Sequence, residues 1–113
     1  MRIEREDGRV VCEEAIVADG PLTRMKGLLG RRSLSGREGV LLRPTASVHT
    51  AFMRFPIDVV FLDADMRVLR VVVDLKPWRA AGCRGARAVL ELSAGESERR
   101  GVRPGDRIVA VAS

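Results

Sequence analysis

The amino-acid sequence predicts an α+β domain, a mostly antiparallel curled sheet or small barrel with two short helices plugging its ends or edges. Three observations predict it. Short Val- and Ile-rich runs recur along the chain between Gly and Pro punctuation. Only residues 21–29 and 96–100 carry helical signals, and both stretches are too short for a doubly wound parallel sheet. The 113 residues, 46% hydrophobic, suit one compact domain over 1–113. Folding at that length buries about two thirds of the extended surface, enough for a core without a disulfide or metal.

Residues 9–18 (RVVCEEAIVA) read as a strand entered through a hairpin turn at Asp7-Gly8. Asp19-Gly20-Pro21 stops it, and a proline fits the first turn of a helix, where its missing N–H would be unpaired anyway. Leu22, Met25, Leu28 and Leu29 then recur at helical spacing, and Gly30 ends the run. Residues 31–47 read as loop, with a brief apolar piece at Val40-Leu41-Leu42. In the next stretch, 47–63, an extended chain would put Ser47, His49 and Ala51 on one side and Val48, Thr50 and Phe52 on the other.

Residues 59–62 form a strand apolar on both faces, and the 63–66 turn leads into a second strand over 67–75. Leu69, Val71, Val73 and Leu75 share one face of it, while Val68, Arg70, Val72 and Asp74 share the other. The two strands make a hairpin, which Pro77 ends. Residues 80–86 are small and flexible in composition; 87–92 resume a strand with Ala88, Leu90 and Leu92 inward. Ser93 and Glu96 have capping-box spacing for a short helix that ends in Arg99-Arg100 and Gly101. Pro104-Gly105 is a turn, and 108–111 form the last strand.

Several function classes are disfavoured. The net charge is +5, and all but Lys26 and Lys76 of the 20 basic residues are arginine. These arginines are interleaved with 15 acids, with no polybasic block to track a phosphate backbone. The four aromatics lie between residues 52 and 78, a thin supply for base stacking, so nucleic acid is not the expected partner. No apolar run approaches the roughly 18 residues of a membrane span. The charged start, MRIERED, lacks the apolar core of a signal peptide, so a cytoplasmic location is expected. Cys12 and Cys83 have no metal-ligand spacing, and Cys12 fits a small core position. No phosphate loop, dinucleotide fingerprint or metalloprotease motif occurs, so neither cofactor nor metal is expected.

What remains is a concentration of polar groups in the most apolar part of the chain. His49, the only histidine, precedes Met53, Arg54 and Asp58. Ionisable groups in such a stretch are costly to bury without partners, so a ligand-contacting role is one explanation. Trp78-Arg79 after Pro77 forms a second candidate wall, an aromatic face beside a guanidinium. Each has a structural reading too: His49 and a carboxylate as a hydrogen-bonded pair, Met53 as core filler, Arg54 snorkelling to water, Trp78 capping the core. Cys83 beside Arg84 could favour a thiolate, though nothing in the sequence brings it to His49.

The runs GLLGRRSL (27–34), SVHTAFMRFPIDVVFLDADMRVL (47–69), PWR (77–79) and AVLELSAGESERRGVRPGDRIV (88–109) resemble the bacterial and archaeal family known as domain of unknown function 192. The match spans nearly the whole chain in order and is most specific over 53–63 and 90–95. The resemblance implies a compact, mainly β domain with small helices and no established activity. Many members carry an N-terminal signal or lipoprotein segment, from which this chain departs. Where many show Trp-Met-Lys/Arg-Asn, this chain has Phe52-Met53-Arg54-Phe55 and so lacks that amide. The matching positions include His49, Met53, Arg54, Pro56, Asp58, Glu91 and Gly95.

The expected function is a non-enzymatic binding module, with His49, Met53, Arg54, Asp58, Trp78 and Arg79 around a cleft for a small anionic ligand or peptide. Two alternatives stand beside it. One is a small hydrolase with His49 as general base and Asp58 orienting it. The other is a structural or assembly protein whose arginine face docks an acidic partner.

Overall fold

A computed structural model describes residues 1–19 and 31–112. Alternating burial along short β-rich runs produces ten strands there: β1 Arg2–Arg5, β2 Val10–Cys12, β3 Glu14–Ala18, β4 Glu38–Leu42, β5 Ser47–His49, β6 Ile57–Leu62, β7 Val68–Leu75, β8 Ala80–Gly82, β9 Ala88–Ser93 and β10 Ile108–Val111. One helix, α1 (Glu96–Arg99), lies between β9 and β10. The strands form a five-stranded sheet ordered β3-β4-β9-β6-β7, a three-stranded sheet ordered β10-β1-β2, and the β5-β8 ribbon. Among the described residues only β3 and β4 pair in parallel.

The fold class therefore needs correction. Among the described residues the molecule is β-rich with one four-residue helix, and its sheets are open rather than closed into a barrel. The helix expected at 21–29 lies outside the described residues. Segments that the sequence did not assign outright as strands form them, namely β1, β4, β5 and β8. Their partners lie far along the chain, as in β1 with β10 and β5 with β8, so their own composition carried little signal.

The central strands β6 and β9 are buried on both faces and separate two cores. Ile3, Leu41, Leu62, Leu90, Leu92 and Ile108 fill one, between the five- and three-stranded sheets. Leu42, Ile57, Val59, Phe61 and Val89 fill the other, with Val48 and Met53 over them. Each such side chain contributes about 1.5–3 kcal/mol on burial.

The β6–β7 hairpin forms as expected, but its register shifts twice, between Ile57 and Val59 and between Phe61 and Leu62. Each bulge turns the alternation over. Val71 consequently packs toward one core while Val72 and Leu75 pack toward the other, and Leu69 and Val73 are exposed. The single strand expected at 9–18 is two, β2 and β3, in different sheets. Between them Glu13 pairs with Arg100, whose guanidinium also donates to the Val10 and Gly36 carbonyls. The expected capping box is absent. The residue before α1 is Gly95 at φ 92, without a capping side chain of its own, and Glu96 pairs with Arg99 and Arg100.

Candidate functional site

Thr50, fully buried just after β5, organises the most unusual surface of the molecule. Its N–H donates to the Arg79 carbonyl at 2.8 Å, and its own carbonyl accepts from the N–H groups of Met53 at 3.1 Å and Trp78 at 3.0 Å. Its hydroxyl donates to the Lys76 carbonyl at 2.6 Å and accepts from the Arg79 N–H at 2.8 Å. One side chain thus ties the 50–53 turn to the 76–79 turn. Both turns put a non-glycine residue in the left-handed region, Phe52 at φ 65 and Trp78 at φ 63. The two rings meet outside the fold, centroids 4.6 Å apart and planes at 59°. Phe52 remains 71% exposed and Trp78 60%.

The ribbon leads into this pair. His49 lies opposite Ala80 and Ser47 opposite Gly82. With Val48 and Ala81 these residues line an open concavity of about 460 Å³. His49 is exposed, as are Arg54 and Arg79, which emerge from the two turns that carry the aromatic rings. The local charge is mainly positive: Lys76 is paired with Asp74 at 2.6 Å, while residues 77–90 add Arg79, Arg84 and Arg87 and no Asp or Glu.

The other candidates lie elsewhere. Met53 is buried in the core with Val48 and Phe61, in the filler role. Asp58 is completely buried on β6, and its carboxylate is saturated from within. Oδ1 accepts from the Asp74 N–H at 2.9 Å; Oδ2 accepts from the Gly95 and Ser97 N–H groups at 3.0 Å each and from the Ser97 hydroxyl at 2.6 Å. Asp58 holds the left-handed Asp74 in β7 and caps α1, the task expected of Ser93. It makes no hydrogen bond to His49, so the base-and-orienter pair of the hydrolase reading does not form.

Both cysteines are free. Burial pushes the Cys12 thiol up to about 11, and its Sγ donates to the Arg37 carbonyl at 3.4 Å, which suits a core residue. Cys83 lies three positions along from Ala80, the residue opposite His49, or about 10 Å at a strand's rise. No group of three or more metal-ligating side chains occurs among the described residues.

The family described as Uncharacterized ACR, a domain of unknown function, matches this chain over residues 2–110. The chain belongs to that family. A UPF0127 protein of Pyrococcus furiosus is 37% identical over 105 residues, covering 89% of this chain and 90% of its own. Another, from Thermococcus sibiricus, is 33% identical over 116 residues, covering 96% and 73%. Among solved structures, a protein of unknown function from Novosphingobium aromaticivorans superposes with a TM-score of 0.83 at 26% identity, covering 96% of this chain and 82% of the other. One from Sinorhizobium meliloti, described provisionally as a transcription regulator, gives 0.82 at 27% identity and covers 96% and 89%.

Within this Uncharacterized ACR domain, one further buried acid stands out that the sequence reading left among the matching positions without a role. Glu91, 4% exposed, faces Val40 and Val59 across its two neighbouring strands. Burial raises its carboxyl to about 7. It has no hydrogen-bond or ion-pair partner among the described residues. An acid in a strand otherwise reading Ala-Val-Leu-x-Leu was the available signal.

Proposed function

We propose that this protein is a non-enzymatic binding module that takes an anionic ligand or acidic peptide where the β5-β8 ribbon meets Phe52 and Trp78. The observation that carries the reading is the exposed aromatic pair on left-handed backbone. A non-glycine residue in that region costs about 1–2 kcal/mol. Two large rings left in water also forgo burial worth roughly 25 cal/mol per Å². Thr50 nevertheless holds both turns with its whole hydrogen-bonding capacity. Strain persisting around exposed aromatics is the pattern of a surface kept for a partner.

His49, Arg54 and Arg79 supply hydrogen bonds and positive charge around the rings, and Met53 supports the turn from the core. Asp58 acts indirectly, by holding β7 where it turns toward Trp78. The hydrolase reading loses support because Asp58 is committed elsewhere. Dispersed arginines, several spent on Glu13, Glu38 and Glu96, give little support to a nucleic-acid role like the one provisionally ascribed to the Sinorhizobium meliloti protein.

Trp78 is the only tryptophan, so its fluorescence reports directly on the site. Titration with short poly-glutamate should shift that emission, with affinity falling as salt rises. Arg79→Ala and Arg54→Ala should each weaken binding severalfold without changing the fold. Emission unmoved by poly-glutamate, citrate and phosphate would overturn the reading, and so would tighter binding of oligo-deoxythymidine than of any of these.

A further inference from the structure

We propose, building on that reading, that β8 receives an extended acidic segment of a partner protein as an added strand along its outer edge. The argument starts from ribbon register. Cys83 N–H donates to the Ala46 carbonyl at 3.0 Å, and Thr50 N–H to that of Arg79 at 2.8 Å. With Val48 opposite Ala81, the inward-bonded pairs are therefore 46/83, 48/81 and 50/79. Alternation makes the intervening residues, Ser47 and His49 on β5 and Ala80 and Gly82 on β8, turn their backbone groups outward.

Side chains have taken some of those outward groups. The Thr45 hydroxyl accepts from the Ser47 N–H at 3.3 Å and donates to the Ser47 carbonyl at 2.9 Å. Arg70 donates to the Gly82 carbonyl at 2.7 Å. On β8 the N–H and C=O of Ala80 and the N–H of Gly82 have no partner among the described residues. Spaced two residues apart on one edge, they form the repeat that an incoming strand uses.

Local chemistry selects the occupant. Ala80, Ala81 and Gly82 present almost no side-chain bulk, so a second backbone can approach to the roughly 4.8 Å strand spacing. Arg79 and Arg84 bracket β8, and the neighbouring acid, Asp74, is paired with Lys76, so the 77–90 run presents arginines and no acid to a negative segment. Phe52 and Trp78, beyond the ribbon's end, would cover an apolar side chain of the same segment. Backbone pairing would supply affinity, and charge would select the partner.

The test uses the intact protein and an acetylated, amidated (Glu-Val)₃ peptide. Its binding should quench or shift Trp78 emission and slow amide hydrogen exchange at Ala80 and Gly82 tenfold or more. Ala81, already bonded within the ribbon, should be unchanged. N-methylation of alternate peptide amides should weaken binding more than tenfold. If the peptide moves Trp78 in a salt-sensitive way while Ala80 and Gly82 stay unprotected and N-methylation costs nothing, strand addition is overturned and the binding module survives. If neither the peptide nor poly-glutamate binds, both fall. Protection of Ala80 and Gly82 by oligo-deoxythymidine but not by the peptide would overturn the choice of partner.

Discussion

Asp58 and Glu91 are both buried carboxylates in the five-stranded sheet, and their surroundings give them opposite thermodynamic characters. Asp58 is met by four donors. Glu91 faces valines, and the charges sharing its side of the sheet include Glu38, itself held by Arg31, the exposed Glu14 on the far side of β4, and Arg70 on β7, opposite Phe61 and bonded to the Gly82 carbonyl. Burial lifts the Glu91 carboxyl from an ordinary 4.5 to about 7. Below pH 4.5 the acid is neutral whether the chain is folded or unfolded, and it carries no ionisation penalty. As pH rises toward 7 the unfolded chain releases this proton while the folded one keeps it, so stability falls. Above 7 the penalty levels off at about 3 kcal/mol. Urea unfolding of Glu91→Gln should therefore show the variant gaining on the wild type between pH 5 and pH 8. Parallel curves across that range would show that Glu91 does not titrate this way. Glu13, Glu38 and Glu96, held below the usual carboxylate range by Arg100, Arg31 and Arg99, run in the other direction and lose stabilisation as pH falls.

Among the elements, the cap of α1 separates what local sequence carries from what only tertiary contact supplies. Ser93 and Glu96 have the spacing of a capping box, yet the helix N-terminus is satisfied by Asp58, 37 positions upstream of Gly95. Asp58→Ala would leave three backbone N–H groups in or near the core without an acceptor and should cost about 3–5 kcal/mol in chemical denaturation. Ser93→Ala should change stability by less than about 0.5 kcal/mol. Equal losses would restore the local cap. The same contrast decides how much was legible. The β6–β7 hairpin, the 88–92 strand and the 108–111 strand were legible because their apolar runs are continuous and bounded by Gly, Pro or Asp. The ribbon was not, because Ala80-Ala81-Gly82 has little strand propensity and is held by pairing with Ser47–His49. The bulges of β7 were hidden for a related reason, since alternation read from sequence assumes an unbroken register. Of the proposed site, His49, Arg54, Trp78 and Arg79 were legible as candidates, being polar or aromatic residues in an apolar setting. Phe52 and Thr50 were passed over because their importance lies in a left-handed turn and a buried hydroxyl, neither of which composition reveals.

At the scale of the whole molecule, the two cores and the proposed binding surface draw on stability differently. The cores lie on either side of β6 and β9, whereas Phe52 and Trp78 add exposed apolar area and backbone strain at the periphery. Removing that strain separates the two contributions. Phe52→Gly relaxes a left-handed residue by about 1 kcal/mol and forfeits a ring contact worth roughly 0.5–1.5 kcal/mol. These nearly cancel, so the thermal midpoint should move by only a few degrees. Binding of poly-glutamate, read through Trp78, should nevertheless fall at least tenfold, because one wall of the aromatic pair has gone. A midpoint that drops steeply would make Phe52 a structural residue after all. Unchanged affinity would instead leave the strained turn without the role assigned to it, since the strain is accounted for only if the ring it presents is used.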